Sequence, residues 1–300
     1  MKRAIVRSDD PKANNKWGLY GSGFFSNYVR CIQQLMEVEG NSSFQGALPY
    51  IDWTKSWFTE NNGILEDRPN FEGASNPWDS WFEQLPLDVS DELVHCNTSY
   101  IPEILDHKNF YLNQDMLDHV RFLDSKYIKL HSHLRIAIDA IWEKEFKDNY
   151  VLGVIARGAE RRFYHNEQGF ATVEFYISNI EKILQQNPQI NKIFLVCDLI
   201  DWVEEIKNRF PNVFFLPNVN RIRENPDPDF FYWNIYWWSY PNRPNHGILL
   251  GEESLIQTHL LARSNILFGL QSGFVNGAMI FTKGYDHTYI YDGLSPFYIT

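Results

Sequence analysis

An arginine that closes an apolar run is the residue in this chain best suited to chemistry. Val151, Leu152, Val154, Ile155 and Ala156 are apolar, the pattern of a strand buried on both faces of a parallel sheet. Arg157 and Gly158 follow at the carboxyl end. Open α/β sheets bind ligands just beyond the carboxyl ends of their strands, so a guanidinium there is placed to meet an anion such as a phosphate. The plainer alternative is a strand-end arginine paired with a surface carboxylate, and the arginine by itself does not choose between the two. A second group is Gln271-Ser272-Gly273 with Phe274: a small hydroxyl and backbone amides at a helix start make an anion site.

The elements that must position these residues alternate strand and helix, as in a nucleotide-binding half-fold. Helical spacing runs over 174–186, a short apolar strand over 193–196 closed by Cys197 and Asp198, a helix over 200–210, and a strand over 213–216 stopped by Pro217. Residues 253–263 read as an amphipathic helix with Glu253 at its start, where the helix dipole favours an acid. A strand over 265–269 then delivers Gln271-Ser272-Gly273 into a turn, and a helix is expected over 274–281.

On these residues the chain resembles the fucosyltransferase superfamily of the nodulation fucosyltransferase, the core α-1,6-fucosyltransferases and the protein O-fucosyltransferases. Their strand-end pattern G-V-H-x-R-x-x-D lies over Gly153-Val154-Ile155-Ala156-Arg157-Gly158-Ala159-Glu160, with the arginine kept, the histidine replaced by Ile155 and the aspartate by Glu160. The family's Thr-Asp pair after the second strand is matched by Cys197-Asp198. Its closing helix, strand and serine motif is matched by Leu260-Leu261, Ile266-Leu267-Phe268 and Ser272, with Gln257 where an aspartate is common. The resemblance extends over most of the chain and rests on the order and spacing of degenerate motifs.

Gly21-Ser22-Gly23 precedes a helix expected to begin near Tyr28, with Ser26 or Asn27 as its cap. Related enzymes carry a comparable glycine and asparagine loop facing the donor phosphates, so the resemblance adds Gly21, Gly23 and Asn27 to the nucleotide site; an ordinary capped turn is the alternative. Residues 48–53 read as the second strand and end near Asp52, a candidate for acceptor contact or proton removal, against the plainer role of a loop carboxylate bonded to nearby amides. Asn76-Pro77-Trp78-Asp79-Ser80-Trp81-Phe82 resembles an N-x-W-x-x-F segment of similar bacterial proteins, with Trp81 at its last position and the phenylalanine one place later at Phe82, and Trp78 and Trp81 are expected to bury against the sheet rather than to serve as a sugar platform. Two helices are expected between Asn113 and Lys147, with His131 and His133 between them and no third ligand at metal spacing. Residues 221–246 hold Pro226, Pro228, Pro241 and Pro244 and a dense set of aromatics from Phe230 to Tyr240. Such a segment suits part of an acceptor site, or an apolar patch folded on its own domain or on a second copy.

Length and charge bound the function. At 300 residues two domains are the natural expectation, 1–147 as the acceptor side and 148–300 as the nucleotide-sugar side. A net charge of -11 without a basic stripe argues against nucleic acid. No transmembrane run is present, and the start has no signal-peptide pattern. Three widely spaced cysteines suggest a reducing compartment, and cytoplasmic location in a bacterial or viral setting is expected.

The fold class expected is α/β, two Rossmann-like domains facing across a cleft, the GT-B arrangement. The resemblance implies inverting transfer of fucose from GDP-fucose to a carbohydrate acceptor, with no metal and no other cofactor. Arg157 would stabilise charge growing on the leaving diphosphate. Asp198, Gln257, Ser272, Gly273 and Phe274 would complete the nucleotide site, and Glu160 or Asp52 would serve as base. The replacements at Ile155, Glu160 and Gln257 keep two alternatives open: a different nucleotide sugar, or a binding protein that has lost catalysis.

Overall fold

The computed structural model describes residues 1–7, 24–54, 56, 75–96, 110–158, 172–223, 243–291 and 298–299. Chain contacts divide it into two compact units, one of Met1–Ile136 with Pro244–Ser254 and one of Ala137–Arg243 with Leu255–Thr300.

In the first unit β1 (Lys2–Arg7) is the middle strand of a parallel three-stranded sheet, flanked by β2 (Leu48–Asp52) and β4 (Glu92–His95). The helix α1 (Phe24–Gly40) joins β1 to β2 in chain order, as a parallel pair requires a crossover. Phe24, Phe25 and Tyr28 on its first turns are buried in an aromatic cluster with Trp53, Trp78 and Trp81. The latter two form the short helix α2 (Trp78–Trp81), which leads into β3 (Phe82–Glu83). Trp78 and Trp81 are 1% and 0% exposed, so neither offers a face to a sugar and both act as core. Asn76 fixes the segment to the strand end, accepting from the Trp53 amide at 2.9 Å and donating to the Ile51 carbonyl at 2.7 Å. The helix α3 (Gln114–Tyr127) is capped by Asn113, whose side chain accepts from the Met116 amide. Next, β5 (Lys129–Leu130) pairs antiparallel with β3, and α4 (Ser132–Glu145) follows, its residues from Ala137 on belonging to the second unit. His131 sits before α4 with its ring within 2.9 Å of the Asp79 carbonyl, while His133 lies inside the first turn of α4 rather than between helices.

The second unit is built on β6 (Val151–Ala156), buried at every residue. After it come α5 (Val173–Gln186), β7 (Lys192–Cys197), α6 (Ile200–Arg209), β8 (Val213–Phe214), α7 (His246–Ala262), whose residues through Ser254 belong to the first unit, then β9 (Ile266–Leu270), α8 (Gly273–Phe281), β10 (His287–Tyr291) and β11 (Tyr298–Ile299). The sheet order is β11-β10-β9-β6-β7-β8, parallel except for β11. The chain runs outward from β6 through β7 to β8, then returns to β9 on the other side, so the order reverses between β6 and β9. In such sheets that reversal marks the ligand site. Thr172 caps α5 by accepting from the Phe175 amide at 3.2 Å.

Three boundaries differ from the sequence reading. The first helix begins at Phe24, so Ser26 and Asn27 lie inside its first turn and cannot cap it from outside; Asn27 is 1% exposed. The strand read over 213–216 ends at Phe214. The helix read from Glu253 begins at His246, which places Glu253 well inside α7 and removes the dipole argument for it. Within α7 a Cβ on Gly251 would lie 2.2 Å from the Trp81 ring, and Trp81 Nε1 donates to the Ile248 carbonyl at 3.0 Å. Gly251 is small so that α7 and the tryptophan can touch.

The α1–α3 contact carries a titratable link. The Tyr28 hydroxyl donates to Asp124, and burial pushes the Asp124 carboxyl up to about 7, partly offset by that hydrogen bond. With the folded pKa raised above the ordinary 3.8, the folded state holds the proton more tightly, so this contribution is fully present below about pH 4 and lost as pH rises through about 7. Asp124→Asn, which keeps an acceptor for Tyr28, is expected to flatten that fall in urea midpoints and to exceed the wild type in stability near about pH 8. An unchanged slope would show that another group titrates.

Candidate functional site

The register of the second sheet brings the strand-end residues together. Ala156 pairs with Cys197 and Ile155 with Gly269, so Arg157 and Asp198 leave the carboxyl ends of adjacent strands side by side, and the chain turns into α8 just past β9. The Arg157 Nε lies 3.8 Å from Asp198 Oδ2, an ion pair beyond hydrogen-bond distance, with side-chain exposures of 15% and 19%. The guanidinium carbon stands 5.9 Å from the centre of the Phe274 ring, within cation–π range. Three residues expected at the nucleotide site therefore form one group: Arg157, Asp198 and Phe274.

Asp198 does a second task. Its Oδ1 accepts from the Gly158 amide at 3.1 Å, so one carboxylate holds both the backbone after β6 and the charge of Arg157. Gly158 itself is explained by packing. A Cβ there would lie 2.6 Å from the Trp202 ring and 2.7 Å from Leu199, so its smallness admits the tryptophan.

Ser272 and Gly273 stand at the start of α8. Ser272 occupies the cap position in extended backbone conformation, yet its side chain does not cap the helix, and its hydroxyl is buried with no hydrogen-bond partner among the described residues. Leaving such a group unsatisfied costs about 1–3 kcal/mol, which an anionic ligand oxygen at the helix N-terminus would recover. Gln257 is 4% exposed on α7. Ile155 is 0% exposed and backs directly onto Gly269, so its side chain is taken up by sheet packing.

In the first unit Asp52 ends β2 opposite Arg7, the last residue of β1, and their side chains approach to 3.5 Å. Asp52 Oδ1 also accepts from the Thr54 amide at 3.0 Å and hydroxyl at 2.7 Å. These are the bonds of a loop carboxylate tied to its neighbours. Gly21, Gly23, Glu160 and the aromatic segment 230–240 lie outside the described residues. Among the described residues no group of three or more His, Cys, Asp or Glu is arranged to hold a metal ion, and no helix is long and apolar enough to cross a membrane.

The sequence reading missed Arg7, Arg221 and Tyr176. Arg221 is 8% exposed and donates to the carbonyls of Cys197 at 3.1 Å and Leu216 at 2.8 Å, which docks 216–222 onto the end of β7. No local pattern marks it, because its partners are backbone carbonyls brought near by the fold.

A parallel sheet whose strand order reverses at the Arg157 group, in a chain with a second parallel α/β unit, defines an α/β protein, and its full-length likeness to solved structures gives it the GT-B fold. Solved structures agree over the full length. The chain is similar to NodZ alpha-1,6-fucosyltransferase soaked with GDP-fucose, at 18% identity and a TM-score of 0.56 over 100% of this chain and 98% of that one. The same figures hold for that enzyme co-crystallized with GDP. Fucosyltransferase NodZ from Bradyrhizobium gives 17% and 0.55 over 100% and 99%. No protein-family model matches the chain, and no curated protein matches it.

The contact at Gly158 makes a direct expectation. Gly158→Ala should destabilise the protein by about 1–3 kcal/mol through overpacking against Trp202, read as a lowered denaturation midpoint. Adding Trp202→Phe should recover part of the loss, and a neutral Gly158→Ala would show that the ring yields freely.

Proposed function

We propose that this chain is a glycosyltransferase that moves fucose from GDP-fucose to a glycan or related acceptor, with inversion and without a metal ion. The observation that carries the reading is the placement of Arg157 at the end of the central strand, where the sheet order reverses, grouped with Asp198 and Phe274. The N-terminus of α8 with the Ser272 hydroxyl, unpartnered among the described residues, supports it. Solved NodZ structures of the same fold were co-crystallized with GDP or soaked with GDP-fucose.

As the glycosidic bond breaks, negative charge grows on the leaving diphosphate and the sugar becomes oxocarbenium-like. A fixed guanidinium and helix-start amides stabilise that charge more in the transition state than in the ground state. Arg157 holds the diphosphate in this scheme, and Asp198 and Phe274 orient its fork. Ser272 and Gly273 receive phosphate oxygens, and Gln257 completes the donor side. The second unit is then the donor domain and the first the acceptor domain. Inversion needs a base that takes the acceptor proton, and Glu160 and Asp52 are the groups to test. Asp52 already accepts two bonds from Thr54 and faces Arg7, which favours Glu160.

One observation favours a second reading. Ile155 places a buried aliphatic side chain where related enzymes use a histidine around the nucleotide, which suits a different nucleotide sugar or binding without turnover. Incubation with a panel of nucleotide sugars, read by mass spectrometry for free nucleotide, separates these outcomes.

Arg157→Lys keeps the charge and loses the planar fork that can hold two phosphate oxygens. It is expected to fold normally and to slow transfer by about tenfold to a hundredfold. Wild-type kinetics would remove Arg157 from the mechanism. GDP should raise the melting temperature more than UDP, because a ligand that binds only the folded state stabilises it; the opposite order would overturn the GDP assignment. Transfer should survive EDTA, and activity lost on chelation and restored by magnesium or manganese would overturn the metal-free mechanism.

A further inference from the structure

We propose that Tyr176 is a positioning residue for Arg157, acting through the backbone amide of the arginine; the proposal rests on the anion-binding role of Arg157 given above. The ladder of β6 ends at Ala156, paired with Cys197, and on its other side β9 stops at Leu270 and turns away into Gln271 and Ser272. The Arg157 amide therefore lies past the last paired residue of its strand. The Tyr176 hydroxyl, reaching from α5, accepts from that amide at 3.2 Å. The next amide, of Gly158, is taken by Asp198. Two successive backbone donors are thus held by side chains from two different elements, and the direction in which the Arg157 side chain leaves the sheet is set between them.

The tyrosine ring is itself immobilised. It is 0% exposed and packs at centroid distances of 5.7 Å from Phe268 and 5.9 Å from Trp202. Trp202 in turn lies against Gly158. The hydroxyl is therefore delivered to a fixed point by core packing, and the arginine inherits that precision. A guanidinium gains most from a ligand when its geometry is set in advance, because an anion then meets a fork already aimed. Tyr176 touches no ligand in this arrangement; it determines where Arg157 is.

The test is a double-variant cycle read as Kd for GDP and for inorganic pyrophosphate by calorimetry on the full chain. Tyr176→Phe keeps the ring and removes the acceptor, and it should weaken both ligands by about tenfold, the effect of one enclosed amide left without its partner. In an Arg157→Ala background the same change should cost less than about twofold, because the residue it positions is gone. Phe268→Leu is the control for packing: it loosens the same ring without touching the hydroxyl, and it should lower the melting temperature while leaving both affinities within about twofold.

Coupling between Tyr176 and Arg157 supports the proposal. An equal loss in both backgrounds, a loss in Phe268→Leu matching that in Tyr176→Phe, or no loss in Tyr176→Phe overturns it. The two ligands separate this proposal from the donor reading. Coupled losses for pyrophosphate without tighter binding of GDP would keep Tyr176 as the positioning residue of an anion site and remove the GDP-sugar assignment. Wild-type affinity for GDP with no coupling would keep the donor reading and remove Tyr176.

Discussion

The second unit depends on the pairing of β6 with strands on both sides. A central parallel strand must be apolar on both faces, and every residue of β6 is buried. Its register with β7 then decides what can happen at its end: because Ala156 sits opposite Cys197, the next residues of the two strands are an arginine and an aspartate. The ion pair at the site follows from sheet geometry. With β9 on the other flank, the turn into α8 brings Phe274 to the same guanidinium.

The first unit repeats part of this arrangement. Arg7 and Asp52 end the adjacent parallel strands β1 and β2 in direct register, as Arg157 and Asp198 follow β6 and β7. The surroundings differ. Asp52 spends one oxygen on Thr54, two residues away in its own loop, whereas Asp198 reaches across to the backbone of the neighbouring strand and leaves the pair tied to the sheet. The same two side chains therefore close a local turn in one unit and brace a strand end in the other.

Close approach of aromatic rings to glycine recurs as the device that brings elements together. Trp202 lies on Gly158 and Trp81 on Gly251. In both cases a residue type that reads locally as flexibility or a break is used for contact, since the absence of a Cβ lets a large ring reach the backbone. The aromatic cluster around Trp53, Trp78 and Trp81 has the same logic: tryptophans available for sugar stacking are consumed by the core, and the Trp53 indole N–H finds its partner in the Cys31 sulfur at 2.9 Å.

The sequence by itself determined the elements whose burial is complete or whose periodicity is long. The runs at Val151–Ala156 and Lys192–Cys197 and the helix Val173–Gln186 could be read directly, because a strand buried on both faces and an amphipathic helix leave unambiguous patterns. It also placed Arg157, Asp198, Ser272 and Phe274 at the ends of elements, where ligands meet such sheets. It did not contain β4, a four-residue edge strand largely open to solvent, whose residues carry no burial pattern and which is held by its pairing with β1. It misplaced the start of α7, set at Glu253 for the acid favoured at a helix start, whereas the helix begins at His246. Tertiary structure alone decided that Gly158 answers to Trp202, that Arg221 secures the end of β7, and that Tyr176 holds the Arg157 amide. Each of these rests on a contact between residues with no shared local pattern, which only the folded sheet brings within reach.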